Sequence, residues 1–236
     1  YVSPLIPDLL PFEVPGAYPG DRYEELNNAT FETVDRIFSK AGVKFIALSY
    51  PDTIAFSSNK KLIKKPEDLK GLTVRSSGKW PGEAIKIWGG APATIPIGEV
   101  AVALERGTVD VCYTSWMMTD SYKFYESAPH VTFTDLQNSY YGIIMNGNRW
   151  ASLKPEQQEA IKRAADRFRA YSQEVYTNLK DKFVETLTKM GAEVYTLNEE
   201  ENRAFREPSL RLMEEVKKLI GEDGLALIEA MESMYR

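Results

Sequence analysis

Residues 69–112 carry the pattern that most restricts how this chain can fold. Two stretches with helical spacing separate three short apolar runs, at 72–74, 93–95 and 109–112. Pro81 suits the first turn of the first helix, and Glu99 places an acidic side chain in the first turn of the second. Strand, helix, strand, helix, strand at this spacing is typical of a parallel sheet in an α/β protein. Because such sheets bind ligands at the carboxyl ends of their strands, we look for functional side chains there.

Arg75 stands at one of these strand ends. Its guanidinium is always charged, and the planar fork of N–H groups matches a carboxylate bidentately. The residues that follow are small and end at Gly78, so a ligand can approach closely. Arg75 is therefore a candidate carboxylate clamp. An ion pair to a neighbouring helix is the alternative that the spacing leaves open.

Several segments around Arg75 resemble one transport family. Residues 65–75 read KPEDLKGLTVR and closely resemble the P-E-D-L-K-G-L-K-I-R segment of DctP-type solute-binding proteins of TRAP (tripartite ATP-independent periplasmic) transporters. Four further segments resemble the family in the same order, at 96–100, 103–110, 123–126 and 145–158. The resemblance is clear from about residue 50 to 158 and looser towards both ends.

The resemblance implies a two-lobed, periplasmic-binding-protein-like α/β fold in which a long helix spans both lobes. It also implies a periplasmic protein that captures a small organic acid by hinge closure and delivers it to a TRAP membrane permease. We expect no cofactor. In the family, further strands precede the L-P-F region that residues 10–12 resemble, so we expect the first lobe here to lack its N-terminal strands. No signal peptide is visible, and any export signal is expected to be removed already.

The longest helical pattern covers residues 155–190. Apolar side chains recur there at steps of three or four, no proline interrupts them after the start, and Gly191 supplies the stop. At about 1.5 Å per residue such a helix is about 50 Å long, which exceeds the diameter of a small domain. It therefore agrees with a helix shared by two lobes. We expect lobe I to comprise 1–52 and 141–180 and lobe II 53–140 and 181–236, with hinges at 51–52 and 138–140.

The remaining elements follow from periodicity and from the positions of proline and glycine. The proline-rich residues 1–20 are expected to be extended and rich in turns. Residues 113–116 are expected to form a loop. Helices are predicted at 21–41, 119–125, 209–220 and 224–234, and strands at 43–50, 55–58, 131–136, 140–145 and 192–197.

The family's contact positions carry over unevenly. Thr114 stands where the family has an asparagine contact, and Ile97 replaces a phenylalanine. A second arginine that the family often carries has no equivalent near Ala55, which implies a ligand with less negative charge. Five aromatic residues lie near the predicted strand ends, namely Trp80, Tyr113, Trp116, Tyr140 and Tyr141. They would suit an aromatic or keto monocarboxylate, although ordinary core packing is the alternative for each of them.

Composition and motifs weigh against other classes of protein. The 29 basic and 34 acidic residues give a net charge of −5, which argues against a nucleic-acid partner. No apolar run reaches the roughly 18 residues of a membrane span. An α/β enzyme would have to rely on Cys112 or His130, and no catalytic triad, phosphate loop or cluster of metal ligands accompanies them. A sensor or interaction module that binds the same ligand remains an alternative to a transport protein.

Overall fold

A two-stranded antiparallel sheet forms one side of the molecule in the computed structural model, which describes residues 3–235. Strands β1 (Val43–Leu48) and β7 (Gly142–Asn146) pair along their whole length. Helix α1 (Tyr23–Lys40) packs against this sheet, with the ring of Phe38 stacked on that of Phe45 at a centroid distance of 5.4 Å. The apolar face that the periodicity of α1 predicts therefore covers the small sheet.

A mixed six-stranded sheet forms the other side, in the order β4-β3-β5-β2-β6-β8. Strand β3 is parallel to β4 and β5, β2 is antiparallel to β5 and β6, and β8 is parallel to β6. The strands are β2 (Asp52–Ser58), β3 (Thr73–Ser76), β4 (Ala91–Thr94), β5 (Val111–Ser115), β6 (His130–Ser139) and β8 (Glu193–Thr196). The parallel arrangement predicted from residues 69–112 corresponds to β3, β4 and β5.

Shorter helices pack around both sheets. They are α2 (Lys79–Ile87), α3 (Val100–Glu105), α4 (Trp116–Ser121), α5 (Gly147–Ala151), α7 (Glu199–Ser209), α8 (Leu212–Lys217) and α9 (Glu222–Ser233). Helix α5 lies against β1 and β7, and α9 lies against α1. The buried indole of Trp88, at the end of α2, donates to the carbonyl of Phe205 and the hydroxyl of Ser209, both at 2.9 Å. These two bonds fix α7 against α2.

The predicted long helix is present as α6 (Pro155–Lys189) and contacts both sheets. On the side of the small sheet, the Ser172 hydroxyl accepts a hydrogen bond from the Tyr50 amide at 3.0 Å. Eleven residues further along the helix, on the side of the larger sheet, Phe183 stacks on Trp116 at 5.6 Å and meets Phe133 edge-on at 6.3 Å. The helix therefore connects the two halves of the fold, as the family resemblance implies.

The chain crosses between the sheets in two adjacent segments. Strand β1 leads into β2, and β6 leads into β7. The Ser49 amide donates to the Tyr141 carbonyl at 2.9 Å, and the Tyr141 amide donates to the Ser49 hydroxyl at 3.2 Å. Both predicted hinge segments thus lie side by side.

Several local predictions were wrong. Residues 113–116 are not a loop, because β5 continues to Ser115 opposite Ile54 of β2 and α4 starts at Trp116. Residues 7–13 form a 3₁₀ helix rather than an extended segment. Helix α7 was missed, and the helix predicted from residue 209 is the shorter α8.

Helix α9 packs against α1. The Asp223 carboxylate accepts from Arg36 Nε at 2.7 Å, and Leu227 is buried in the cluster that contains Val34 and Phe38. These contacts join residues assigned to lobe II with a helix assigned to lobe I, and the lobe boundaries stay a prediction.

Candidate ligand-binding site

A cavity of about 570 Å³ lies between the two sheets, beside the crossing segments. Strands β1 and β7 and helix α1 supply an apolar wall that includes Phe45, Leu48 and Ile144. The larger sheet supplies the opposite wall, which includes Ile54, Arg75, Thr114 and Ser115. Its size and mixed lining are typical of a small-molecule site.

Arg75 is the central polar group of this cavity. It is only 5% exposed, and its Nε donates to the Ile95 carbonyl at 3.0 Å. The Nη1 atom is buried without a hydrogen-bond partner, and no acidic side chain among residues 3–235 forms an ion pair with the guanidinium. A buried guanidinium nitrogen without an acceptor is costly, so this arrangement favours an anion supplied from outside the chain.

A second buried group without a partner is the side-chain oxygen of Asn138. Its Nδ2 donates to the Gly20 carbonyl at 2.8 Å and to the Tyr140 hydroxyl at 3.3 Å, whereas Oδ1 has no hydrogen-bond partner among the described residues. These donations fix the amide so that nitrogen faces Gly20. Asn138 thus contributes an unsatisfied acceptor among the residues that line the cavity.

Glu13 brings an acidic side chain to the same cavity. Its carboxylate accepts a hydrogen bond from the Ser3 hydroxyl, and its backbone carbonyl accepts one from Gln137 Nε2 at 3.1 Å. Partial burial raises the pKa of Glu13, and the bond from Ser3 opposes that rise. The residue is thus held at the cavity by both its side chain and its backbone.

Aromatic rings form one end of the site around Tyr140. The ring of Tyr140 lies 6.1 Å from Phe12, 6.0 Å from Tyr18 and 6.2 Å from Tyr23, measured between centroids. Burial raises the pKa of the Tyr140 hydroxyl well above its ordinary value. Tyr140 and Phe12 therefore offer a neutral aromatic surface to a bound molecule.

Five of the eight residues expected from the sequence line this cavity, namely Arg75, Ile97, Thr114, Tyr140 and Tyr141. Gly78, Trp80 and Tyr113 are not among its lining residues. Side chains alternate along a strand, so Tyr113 points away from Thr114 and packs on Phe56 at 4.7 Å. Trp80 is buried in the core on α2, and Gly78 precedes that helix.

Sequence reasoning missed several residues of the site. Glu13, Gln137 and Asn138 all line the cavity, together with Phe12 and Met118. A usable signal existed for two of them, because Gln137 immediately precedes the predicted crossing at 138–140 and Asn138 is the first residue of that crossing. Glu13 gave no comparable signal, since only the fold brings it opposite the larger sheet.

The two residues considered for an enzyme lie outside the cavity lining. Cys112 is buried, and burial raises the pKa of its thiol to about 12 despite the neighbouring Arg75 guanidinium. His130 lies at the start of β6 and contacts Glu193 at 2.9 Å. Residues 3–235 also contain no group of three or more side chains arranged to hold a metal ion. No helix in this part of the chain combines the length and hydropathy required to cross a bilayer.

Comparison with known proteins identifies the family. The DctP family, described as bacterial extracellular solute-binding protein family 7, matches residues 6–219, and the chain belongs to this family. Its members are substrate-binding components of transporters rather than enzymes, which confirms the resemblance drawn from the sequence motifs and the expectation that this is not an enzyme.

Individual relatives agree with this result. The ectoine-binding periplasmic protein TeaA of Halomonas elongata is 24% identical over 241 residues, covering 99% of this chain and 70% of TeaA. The 2,3-diketo-L-gulonate-binding periplasmic protein YiaO of Escherichia coli is 28% identical over 135 residues, covering 57% of this chain and 41% of YiaO.

Solved structures confirm the fold. The apo structure of TeaA superposes with a TM-score of 0.91 at 24% identity, covering 99% of this chain and 78% of that one. A TRAP solute-binding protein from Desulfovibrio salexigens with bound orotic acid gives a TM-score of 0.86 at 24% identity, covering 100% of this chain and 77% of the other.

Proposed function

We propose that this chain binds a small organic acid in the cavity between its two sheets and delivers it, in the periplasm, to a TRAP membrane permease. Arg75 holds the ligand carboxylate. The ligands named for the relatives, among them ectoine, 2,3-diketo-L-gulonate and orotic acid, all carry a carboxyl group, which supports this class of ligand.

The observation that carries the proposal is the buried, unpaired Nη1 of Arg75 in a cavity of about 570 Å³. Because Nε is already bonded to Ile95, the planar guanidinium is fixed in orientation before a ligand arrives. A carboxylate placed there gains charge-assisted hydrogen bonds without reordering the side chain.

The walls of the cavity support a ligand with a single carboxylate. The stretch around Ala55, where the family often has a second arginine, contains no basic residue, and Ile54 within it lines the cavity with an aliphatic surface. The rings of Phe12 and Tyr140, which meet edge to face, add an aromatic surface to the same cavity. These features favour a planar or apolar acid over a dicarboxylate.

Binding proceeds by closure of the two halves of the fold. The proposed lobes are joined by the paired crossings at Ser49 and Tyr141 and by α6. Rotation about the crossings brings the apolar wall of β1 and β7 over a ligand held at Arg75 and expels water. The ion pair then lies in a medium of lower dielectric constant and strengthens.

A thermal-shift screen of carboxylic acids tests the proposal. A binding acid should raise the melting temperature in a manner that follows its free concentration. Arg75→Ala should abolish that rise, and Arg75→Lys should weaken it, because lysine keeps the charge but not the bidentate fork. Arg163→Ala, at an exposed position on α6, is the matched control and should behave like the unmodified protein. Unchanged binding in both Arg75 variants would contradict the clamp.

A further inference from the structure

Glu13 and Arg75 are the two charged side chains among the described residues that line the cavity. They carry opposite charges and do not form an ion pair with each other. No lysine, arginine or histidine within residues 3–235 forms an ion pair with Glu13 either. The cavity therefore offers one cation and one anion, and neither forms an ion pair with another side chain among residues 3–235.

We propose that the ligand is zwitterionic, with a protonated nitrogen that binds Glu13 in addition to the carboxylate that binds Arg75. The inference rests on the proposed function and narrows its ligand class. It differs from the simple aromatic or keto monocarboxylate that the sequence favours. Such an acid would place its negative charge in the same cavity as the Glu13 carboxylate and leave that carboxylate unneutralised.

Asn138 supports the same conclusion independently. Its Oδ1 is a buried acceptor without a partner, on a side chain that is 5% exposed. A carboxylate has no hydrogen to donate to this oxygen, whereas a protonated amine or amidine carries several N–H donors. The unsatisfied atoms of the cavity thus comprise a donor on Arg75 and an acceptor on Asn138. An N–H-bearing acid complements both.

The position of Glu13 is fixed well enough to select a ligand. Its carboxylate accepts a hydrogen bond from Ser3 and its backbone carbonyl accepts one from Gln137, so both the side chain and the backbone of the residue are held. Partial burial strengthens any charge pair formed there relative to one on the surface. A cationic ligand atom at Glu13 therefore gains more than it would beside an exposed glutamate.

The experiment compares probes that share one six-membered ring. Cyclohexanecarboxylate carries the carboxylate alone. Pipecolate, nipecotate and isonipecotate add a protonated ring nitrogen at three different separations from the carboxylate. Isothermal titration of the unmodified protein should give, for at least one amino acid of this series, an affinity about tenfold or more above that of cyclohexanecarboxylate.

Glu13→Gln should remove this advantage while leaving cyclohexanecarboxylate binding unchanged or tighter. Glutamine retains an acceptor for Ser3, and melting without ligand shows that the variant folds. Glu105→Gln, which makes the same change in charge at an exposed position on α3, should leave all four affinities unchanged.

Two results separate failure of this inference from failure of the proposed function. If cyclohexanecarboxylate binds in an Arg75-dependent manner but no ring amino acid binds more tightly, the proposed cation site at Glu13 is contradicted. The proposed carboxylate site at Arg75 is then still supported. The inference is likewise overturned if Glu13→Gln leaves the advantage intact. If no carboxylate among these probes binds in an Arg75-dependent manner, both proposals fail.

Discussion

Asp52 lies directly opposite Ser139 in the register of β2 and β6, at the point where both strands leave the larger sheet for the smaller one. The carboxyl group is fully buried, its Oδ1 accepts from the Met117 amide at 3.5 Å, and its Oδ2 has no hydrogen-bond partner among the described residues. Burial raises the pKa of Asp52 to about 7 from an ordinary value of 3.8. A titratable group therefore sits inside the crossing between the two halves of the protein.

Stability should fall as pH rises from about 4 to about 7. In that range the unfolded state has lost the Asp52 proton while the folded state retains it, so each pH unit costs at most about 1.4 kcal/mol. Asp135 has a pKa raised to about 7 by burial and adds to the same slope. Asp52→Asn should reduce the slope without removing it, as measured by urea unfolding at pH 5, 6 and 7. The exposed control Asp166→Asn should retain the full pH dependence of the unfolding free energy. If Asp52→Asn shows the same slope as this control, the pKa of Asp52 is not raised in the folded protein.

Phe183 should be a major contributor to the contact between α6 and the larger sheet. It is 2% exposed and lies against Trp116, Tyr125 and Phe133. Phe183→Ala should lower the free energy of unfolding by about 3–5 kcal/mol, because the truncated ring leaves a cavity. Leu179→Ala, one turn away and 39% exposed, should cost much less. Equal losses in urea unfolding of the two variants would mean that this aromatic cluster is not closely packed.

Asn198 should stabilise α7 through its capping box. Its side chain accepts from the Glu201 amide at 2.9 Å, and the Glu201 carboxylate accepts from the Asn198 amide at 2.9 Å. Asn198→Ala should cost about 1 kcal/mol of unfolding free energy, whereas Asn198→Ser should cost only a few tenths, since serine also caps. Chemical denaturation of the pair measures the difference. A serine variant as unstable as the alanine variant would argue against capping.

Cys112 should be unreactive in the folded protein. Burial keeps its thiol protonated, with a pKa of about 12, and the thiolate is the reactive form. A disulfide reagent at pH 8 should modify Cys112 only after denaturant is added, as followed by absorbance. Prompt modification under native conditions would show that the region around β5 opens readily.

The elements that periodicity predicts well are those whose partners lie close in sequence. Helix α6 and strands β3 to β5 follow from local spacing, and Arg75 follows from its place at a strand end. The end of β5 does not follow from local spacing, because Tyr113 takes its extended conformation by pairing with Phe56, which is distant in the sequence. Helix α7 was not predicted, because its sequence is mostly charged and contains Pro208 near its end.

The site shows the same division between local and distant information. Arg75 and Thr114 reach the cavity because parallel strands end at one edge of their sheet. Glu13 reaches it through a 3₁₀ helix that no local pattern predicts, and Asn138 through a strand that continues past its predicted end at residue 136.

The two crossings are bonded to each other through Ser49 and Tyr141, and this pairing limits how the halves can move. Two separate tethers would let one half swivel and tilt freely against the other. A joined pair resists swivelling, since turning one chain about its own axis would pull the other out of register. We therefore expect opening and closing to follow a single arc, so that a ligand meets the same opposing wall at every closure.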